Sequence, residues 1–566
     1  MLQVEPISNF SGFGTGKATS PYSPYKEYFY SQGMQKSQFG ISPRWNISKD
    51  VDNSGLANLQ LANWFSQGML GGNSYVYAFA SDGRLYRTAL GAASWTEQRF
   101  ISSPSSHGNG MIFDQTNRLL YANDQWLGMS SDGSSFTDLW KDFTLSTTDF
   151  RPMDTYEDWV VIGNKNQVAL LNVTDDSFNA NALNLPSGFN IRCIKSGANG
   201  ILIGANFNNR GVLLLWQPNY VRSIAPWIWR NRTIQSIIPT DTGWVVITQG
   251  EIFSTNGYSI QPITAEFPDN LKNSFNITNT VLPQGADIEG NSLIFWGSNA
   301  QFNRQKPGIY IVNLDSGLYE FVPVSNNVTA GVTGGAVFFD NNNSVHLSYT
   351  TVTPSAKFIG QLINTNPSSA VHISEQLGQS GNEKVAEGVK WSLGISSHQT
   401  LTPAITFDIS VKIANARRNL FGWGLTNAMS GSANLLQVDG SLSSGSGINK
   451  AQLGDEVTIL EGINAGQVRH ISNIANQGTN TETWTLNSAL PNNTEGSIHF
   501  NVSPFKLAEK FSLSNISELK ELFFNIQNRI KGKKFLVKTL IENMPAGLML
   551  ELKDGQFIYD ELTLKK

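Results

Sequence analysis

One pattern recurs seven times between about residues 75 and 362: a short apolar strand, a polar turn of Gly, Asn or Asp, and a second apolar strand. The copies begin with Tyr75–Phe79 leading to Arg84–Tyr86, Gly110–Phe113 to Leu119–Tyr121, and Trp159–Gly163 to Val168–Leu171. Gly200–Gly204 to Val212–Trp216, and Gly243–Ile247 to Glu251–Phe253, continue the series. Ser292–Trp296 to Gly308–Val312, and Gly335–Phe339 to Ser344–Leu347, complete it. The turns fall near residues 82, 117, 165, 209, 250, 306 and 342, a spacing of 35 to 56. That interval suits a unit of four short strands, the blade of a β-propeller. Consecutive apolar residues in the first strand of each copy imply burial on both faces, as between two neighbouring sheets. Seven such units suffice to close a ring, and closure protects the edges that an open array leaves bare.

Two further turns, Ser130–Phe136 (SSDGSSF) and Ser254–Ile260 (STNGYSI), are alike and lie just beyond a central hairpin. They resemble the Asp-box turn of sialidase-type propellers, in which an Asp or Asn side chain ties the turn down. Such turns are structural and say nothing of catalysis.

The rest of the chain predicts an all-β protein of several units. Residues 1–70 are rich in Gly, Ser, Pro and Tyr and read as an extended arm. Residues 71–363 hold the seven-bladed propeller, and 364–434 with 501–566 form a C-terminal β-domain that includes the strand Ala404–Ile413. Within it, 435–500 reads as a small inserted barrel or sandwich, because short alternating strands recur every ten residues or so behind a Gly/Ser-rich lead. Near the end, Ser514–Leu522 is a short helix candidate. A hairpin of Phe523–Ile530 and Phe535–Ile541 is expected to follow, joined through Lys531–Lys534.

Charged residues are only 15% of the chain, and the net charge of −4 lacks the basic footprint of a dedicated nucleic-acid binder. The first residues have no basic or apolar leader pattern, and no stretch approaches the roughly 18 apolar residues of a membrane helix. Cys193, the single cysteine, excludes an internal disulfide and reads as a buried strand thiol.

Familiar chemistries fit poorly. Ser11–Thr19 has three glycines and Lys17, but the spacing departs from a phosphate-binding loop. The histidines His107, His346, His372, His398, His470 and His499 have no partner at metal-ligand spacing, so neither a metal nor another cofactor is expected. Asp82, Asp132, Asp175 and Asp340 sit in turns, where Asp is ordinarily structural. A propeller glycosidase needs two carboxylates meeting at the channel mouth, and such a pair is not readable along the chain. The sharpest charge feature is Arg529, Lys531, Lys533, Lys534 and Lys538, with no acidic residue between Leu522 and Ile541. It reads either as a surface facing DNA phosphates or an acidic partner, or as a lysine-protected sheet edge.

The opening Asn9–Gly16, the propeller and the segment Arg529–Lys538 together resemble tail nozzle proteins of tailed bacteriophages. That resemblance implies a non-enzymatic virion protein whose arm and C-terminal β-domain build a tube segment in a ring of copies of itself. Its partners would be other tail proteins, with transient contact to genomic DNA, and its place the virion tail, assembled in the host cytoplasm. Two other readings remain open: a receptor- or glycan-binding tail appendage, to which the aromatic Trp227–Trp229 segment would suit, and a polysaccharide hydrolase.

Overall fold

In a computed structural model, the structure describes residues 2–7, 30–32, 34–36, 40–43 and 46–49, and most of 59–561. The longest stretches outside the described residues in that last span are 102–109, 219–226, 264–282, 324–333 and 427–434. Among the described residues every regular element is a β-strand, and no helix is long and apolar enough to cross a membrane.

Small antiparallel sheets of four strands dominate, all but the last a meander in sequence order. Ala62–Leu70, Asn73–Ala80, Arg84–Ala89 and Thr96–Phe100 make the first, and Gly110–Phe113 to Thr137–Asp142 the second. Met153–Tyr156 to Phe178–Asn184, Asn190–Gly197 to Trp227–Arg230, and Ile234–Thr240 to Ile260–Pro262 follow. Two more are built from Ala286–Glu289 to Tyr319–Pro323 and from Gly334–Phe339 to Lys357–Ile363. The segments Tyr75–Phe79, Trp159–Gly163, Gly200–Gly204 and Gly243–Ile247 lie in separate sheets. The arrangement is that of a β-propeller.

Two copies of the repeat are out of phase with the rest. In the second and last sheets the repeated hairpin joins the first and second strands, whereas in the others it joins the second and third. The turns explain the shift. Asp114 and Asp340 each open a five-residue turn whose Oδ1 accepts two backbone N–H groups at 2.9 Å, from Thr116 and Arg118 and from Asn342 and Ser344. Asn117 and Asn343 supply the left-handed residue of each turn, at φ 60° and 59°. The same polar-turn signal thus marks a different hairpin.

The innermost strands are stitched to one another around the ring. The Phe113 N–H donates to Ser66 Oγ at 3.1 Å, and the Ser196 N–H to Asp154 Oδ2 at 2.5 Å. Ser236 Oγ donates to the Pro283 carbonyl at 2.7 Å, and the Phe339 N–H to Asp287 Oδ2 at 2.9 Å. Between last and first sheets, the Ala62 N–H donates to Ser348 Oγ at 2.7 Å. The Gln284 amide takes the place of a strand here, accepting from the Phe65 N–H at 2.5 Å and donating to its carbonyl at 2.8 Å.

The sheet of Ala286–Pro323 does not stop at four strands. Tyr30–Gln32 pairs with it, then Ser369–Ile373, Phe535–Glu542, Gln399–Ile413 and Lys506–Ile516, giving one nine-stranded sheet. Its far half faces a second sheet, built chiefly of Leu550–Glu561, Lys384–Ile395 and Lys520–Asn525. Trp391, Phe407, Phe535 and Phe557 fill the sandwich between them, and Trp391 Nε1 donates to Thr539 Oγ1 at 3.1 Å. The N-terminal segment is woven into both bodies. Leu2–Ile7 pairs with Leu550–Glu561, and Asn46–Lys49 adds the fourth strand to the sheet of Gly334–Ile363.

Three expectations are corrected here. Ser514–Leu522 is no helix where described: Lys506–Ile516 and Lys520–Asn525 are strands, their alternation of buried and exposed residues having period two. Phe523–Ile530 and Phe535–Ile541 form no hairpin. Lys520–Asn525 pairs with Gly388–Leu393 while Phe535–Glu542 lies in the opposite sheet, because both strands are needed as separate walls of one core. The inserted unit reaches beyond 435–500. Its strands run from Leu420–Thr426 to Ser497–Ser503 and pair in an order that closes on itself around Trp484 and Phe500. Pairing between its first and last strands draws residues from both sides into the unit.

Candidate functional site

The basic segment splits in two. Arg529 lies outside the described residues. Lys531 and Lys533 are exposed and Lys534 half-buried, on a short turn whose Lys531–Gly532 pairs with Lys384–Val385. Beneath it Lys384 is buried, its Nζ donating to the carbonyls of Asn382 at 3.1 Å and Lys533 at 3.4 Å and lying 5.6 Å from the Tyr559 ring. The turn is thus underpinned by a lysine that lies far away in sequence.

Lys538 does not belong with that turn. It sits within Phe535–Glu542, a strand covered on both faces. Phe535, Val537 and Ile541 point into the sandwich, and Leu536 joins the apolar cluster of the fifth and sixth sheets. Lys538 shares the face of Leu536, is 7% exposed, and places Nζ 2.6 Å from Glu456 Oε2 of the inserted unit. Strand periodicity carries a residue read as a surface charge into a buried ion pair.

That pair belongs to a polar junction between the inserted unit and the sandwich. Asp408 Oδ1 lies 3.6 Å from His470 Nε2 and accepts from Ser410 Oγ at 3.1 Å. His470 Nδ1 is 3.2 Å from the Gly454 carbonyl. Lys506 Nζ donates to Asp455 Oδ1 and to the Leu453 carbonyl, each at 2.5 Å. Burial opposes a charge on His470, but the neighbouring Asp408 carboxylate, with Glu456 beyond, overcomes it and raises the imidazole pKa. Burial likewise opposes ionisation of Asp408, and His470, Lys538 and Lys510 overcome it, holding the carboxyl below its ordinary range. Lys412, at the end of the same strand, is pulled down to about 8 by burial and by Lys538, against the attraction of Glu456. Ser410, His470 and Asp408 are the three residue types of a hydrolytic triad, yet each is 5% exposed or less and the carboxylate bonds the serine directly. Together they join the inserted unit to the sandwich. The sequence offered no sign of it, since the members come from five strands and turns far apart in the chain.

Several other carboxylates and histidines are committed to structure, and His107 and His398 lie outside the described residues. Asp82, Asp132, Asp175 and Asp340 each accept a backbone N–H from their own turn. Asp132 and Asn256, in the two similar turns, each accept two, from Ser134 and Ser135 and from Tyr258 and Ser259. On the innermost strands, burial raises the Asp287 carboxyl pKa against two backbone hydrogen bonds. His346 is buried and bonds Asp340 Oδ2 at 2.9 Å. Burial holds His372 at about 3 and pushes the Cys193 thiol up to about 12, so neither the imidazole nor the thiol ionises near neutrality. Among the described residues no group of three potential ligands could hold a metal ion. The side chains of Trp227–Trp229 lie outside what is described.

No family model and no curated protein matches the sequence. Among solved structures, the extracellular domain of a hybrid two-component system from B. thetaiotaomicron aligns at 12% identity and TM-score 0.40. The match covers 77% of this chain and 47%, about half, of that one. The WD40 domain of Neurospora crassa Pan2 aligns at 9% identity and TM-score 0.39, over 56% of this chain and 95% of that domain. The Cps50 (Swd1) β-propeller domain of Myceliophteria thermophila aligns at 12% identity and TM-score 0.40, over 56% and 99%.

Proposed function

We propose that the chain is a seven-bladed β-propeller fused to a two-sheet C-terminal domain with a small inserted β-barrel, and that it is a non-enzymatic structural protein of a bacteriophage tail. The observation that carries this reading is the nine-stranded sheet. A backbone ladder running from the sixth sheet into the sandwich ties the two bodies together at that point. Leu2–Ile7 and Asn46–Lys49 fasten the N-terminal segment to both. Such a build suits a part that bears load and holds a fixed orientation while copies of it surround a channel. In that setting the exposed Lys531 and Lys533, with Lys534 beside them, meet passing phosphates or an acidic neighbour. Lysines hold a moving polyanion loosely, whereas bidentate arginines would grip it.

The test is direct. Particles purified from cells that make the protein are labelled with antibody to the propeller and imaged. A ring of label on the tail is expected; label absent from particles, with the protein free in solution, overturns the reading.

A further inference from the structure

The inserted unit is attached in an unusual way. Among the described residues, its apolar core, around Leu436, Val457, Trp484 and Phe500, is formed by its own residues. Among the described residues, none of its six strands pairs with a strand outside it. What crosses to the sandwich is polar: His470 to Asp408, Glu456 to Lys538, and Asp455 to Lys506. Ion pairs in a buried seat contribute little net cohesion, because desolvation offsets their attraction, but they penalise every other orientation. We propose that the inserted unit is a movable module, seated on the sandwich by a polar clasp that charged His470 closes and neutral His470 releases.

The geometry makes His470 the switching member. Its ring sits between the Gly454 carbonyl on its own unit and Asp408 and Ser410 on the sandwich. Only the doubly protonated ring donates to the carbonyl and to the carboxylate together. Neutralised, the ring keeps a single N–H, so either the Gly454 carbonyl or the Asp408 carboxylate loses its donor, and the buried carboxylate loses the opposite charge facing it, a costly state.

The other charged groups around the ring are Glu456, Asp455 and Arg469 from the inserted unit, Lys412 from the strand of Asp408, Lys538 from the strand that pairs with it on one side, and Lys506 and Lys510 from the strand that pairs with it on the other. Because the folded pKa of His470 is raised, its contribution is complete below the ordinary histidine value and is lost as pH rises through the raised one. Asp408 acts at the other end, since its lowered pKa keeps its contribution until strong acid. Lys412 cannot mimic the opening. Its pKa is depressed to about 8, so a rise in pH above that value removes a buried charge and favours the closed seat.

Spin labels at Ala475→Cys on the inserted unit and Ser512→Cys on the sandwich, both exposed positions, report the seat in the full chain, with buried Cys193 left in place. One narrow distance is expected at about pH 6, broadening at about pH 9, on either side of the histidine range. His470→Gln and Asp408→Asn should each give the broad distribution at both pH values, while circular dichroism stays that of the folded chain. A native distribution unchanged between the two pH values overturns the proposal without any variant. So does a His470→Gln protein that broadens with pH as the native one does.

Discussion

Two lysines seven residues apart carry opposite expectations. Lys531 is exposed at a turn, whereas Lys538 is buried against Glu456 with its Nζ 5.7 Å from the Phe505 ring. Replacing Lys531, Lys533 and Lys534 together with Gln should change stability by no more than about 0.5 kcal/mol per site. Lys538→Met should cost about 3–5 kcal/mol, because it strands a buried carboxylate. Urea unfolding midpoints measure both, and equal costs would place the four lysines back in one class. A run of basic residues reads alike whichever face each one takes; the period of the strand separates them, and that strand is visible only once its two covering layers are known. The similar turns were more legible, since Asp132 and Asn256 act locally. There Gly257 takes φ 91°, and a Cβ at that position would meet Leu215 Cδ2 at 2.8 Å. Gly257→Ala should therefore lose at least about 1–2 kcal/mol, read from the same midpoints. A neutral result would mean that the turn relaxes freely.

At the scale of the element, the central hairpins were readable because their strands are continuous apolar runs, as in Trp159–Asn164, with five of six residues buried. Outer strands such as Phe178–Asn184 alternate between exposed and half-buried, and their polar composition resembles that of loops. Least legible of all was Asn46–Lys49, which lies among turn-forming residues yet completes a sheet whose other strands begin at Gly334. Pairing across more than three hundred residues is a property of ring closure, and nothing local encodes it. A chain lacking residues 1–29 should keep this strand and lose the cover of Leu2–Ile7 over Leu550–Glu561. A chain lacking residues 1–49 should also expose the edge of Lys357–Ile363, which invites pairing between molecules. Light scattering on heating should show the longer truncation aggregating at a distinctly lower temperature than the shorter. Equal onset would mean that the last sheet needs no fourth strand.

For the whole molecule, the composition and the repeat pointed to an all-β chain of small sheets, but the way its bodies join did not emerge from either. The propeller and the sandwich share backbone hydrogen bonds through Tyr30–Gln32 and share side-chain packing, since Leu536 and Phe505 lie among Ile238, Val245 and Phe295. Neither body can unfold without tearing a ladder or emptying a core that the other completes. The inserted unit stands apart, with a closed order of strands and a core of its own. Cooperative units follow shared cores, so calorimetry should resolve two transitions, one for the inserted unit and one for propeller and sandwich together. Trp484 lies fully buried in the smaller unit. A Trp484→Phe chain should lose its share of the fluorescence change from that unit's transition alone. Asp408→Asn weakens the seat without touching the core around Trp484, so it should move the smaller transition by far less than a cavity at Phe500 does. If the chain melts instead in one step that all probes follow together, the polar seat binds the unit as tightly as a shared apolar core would.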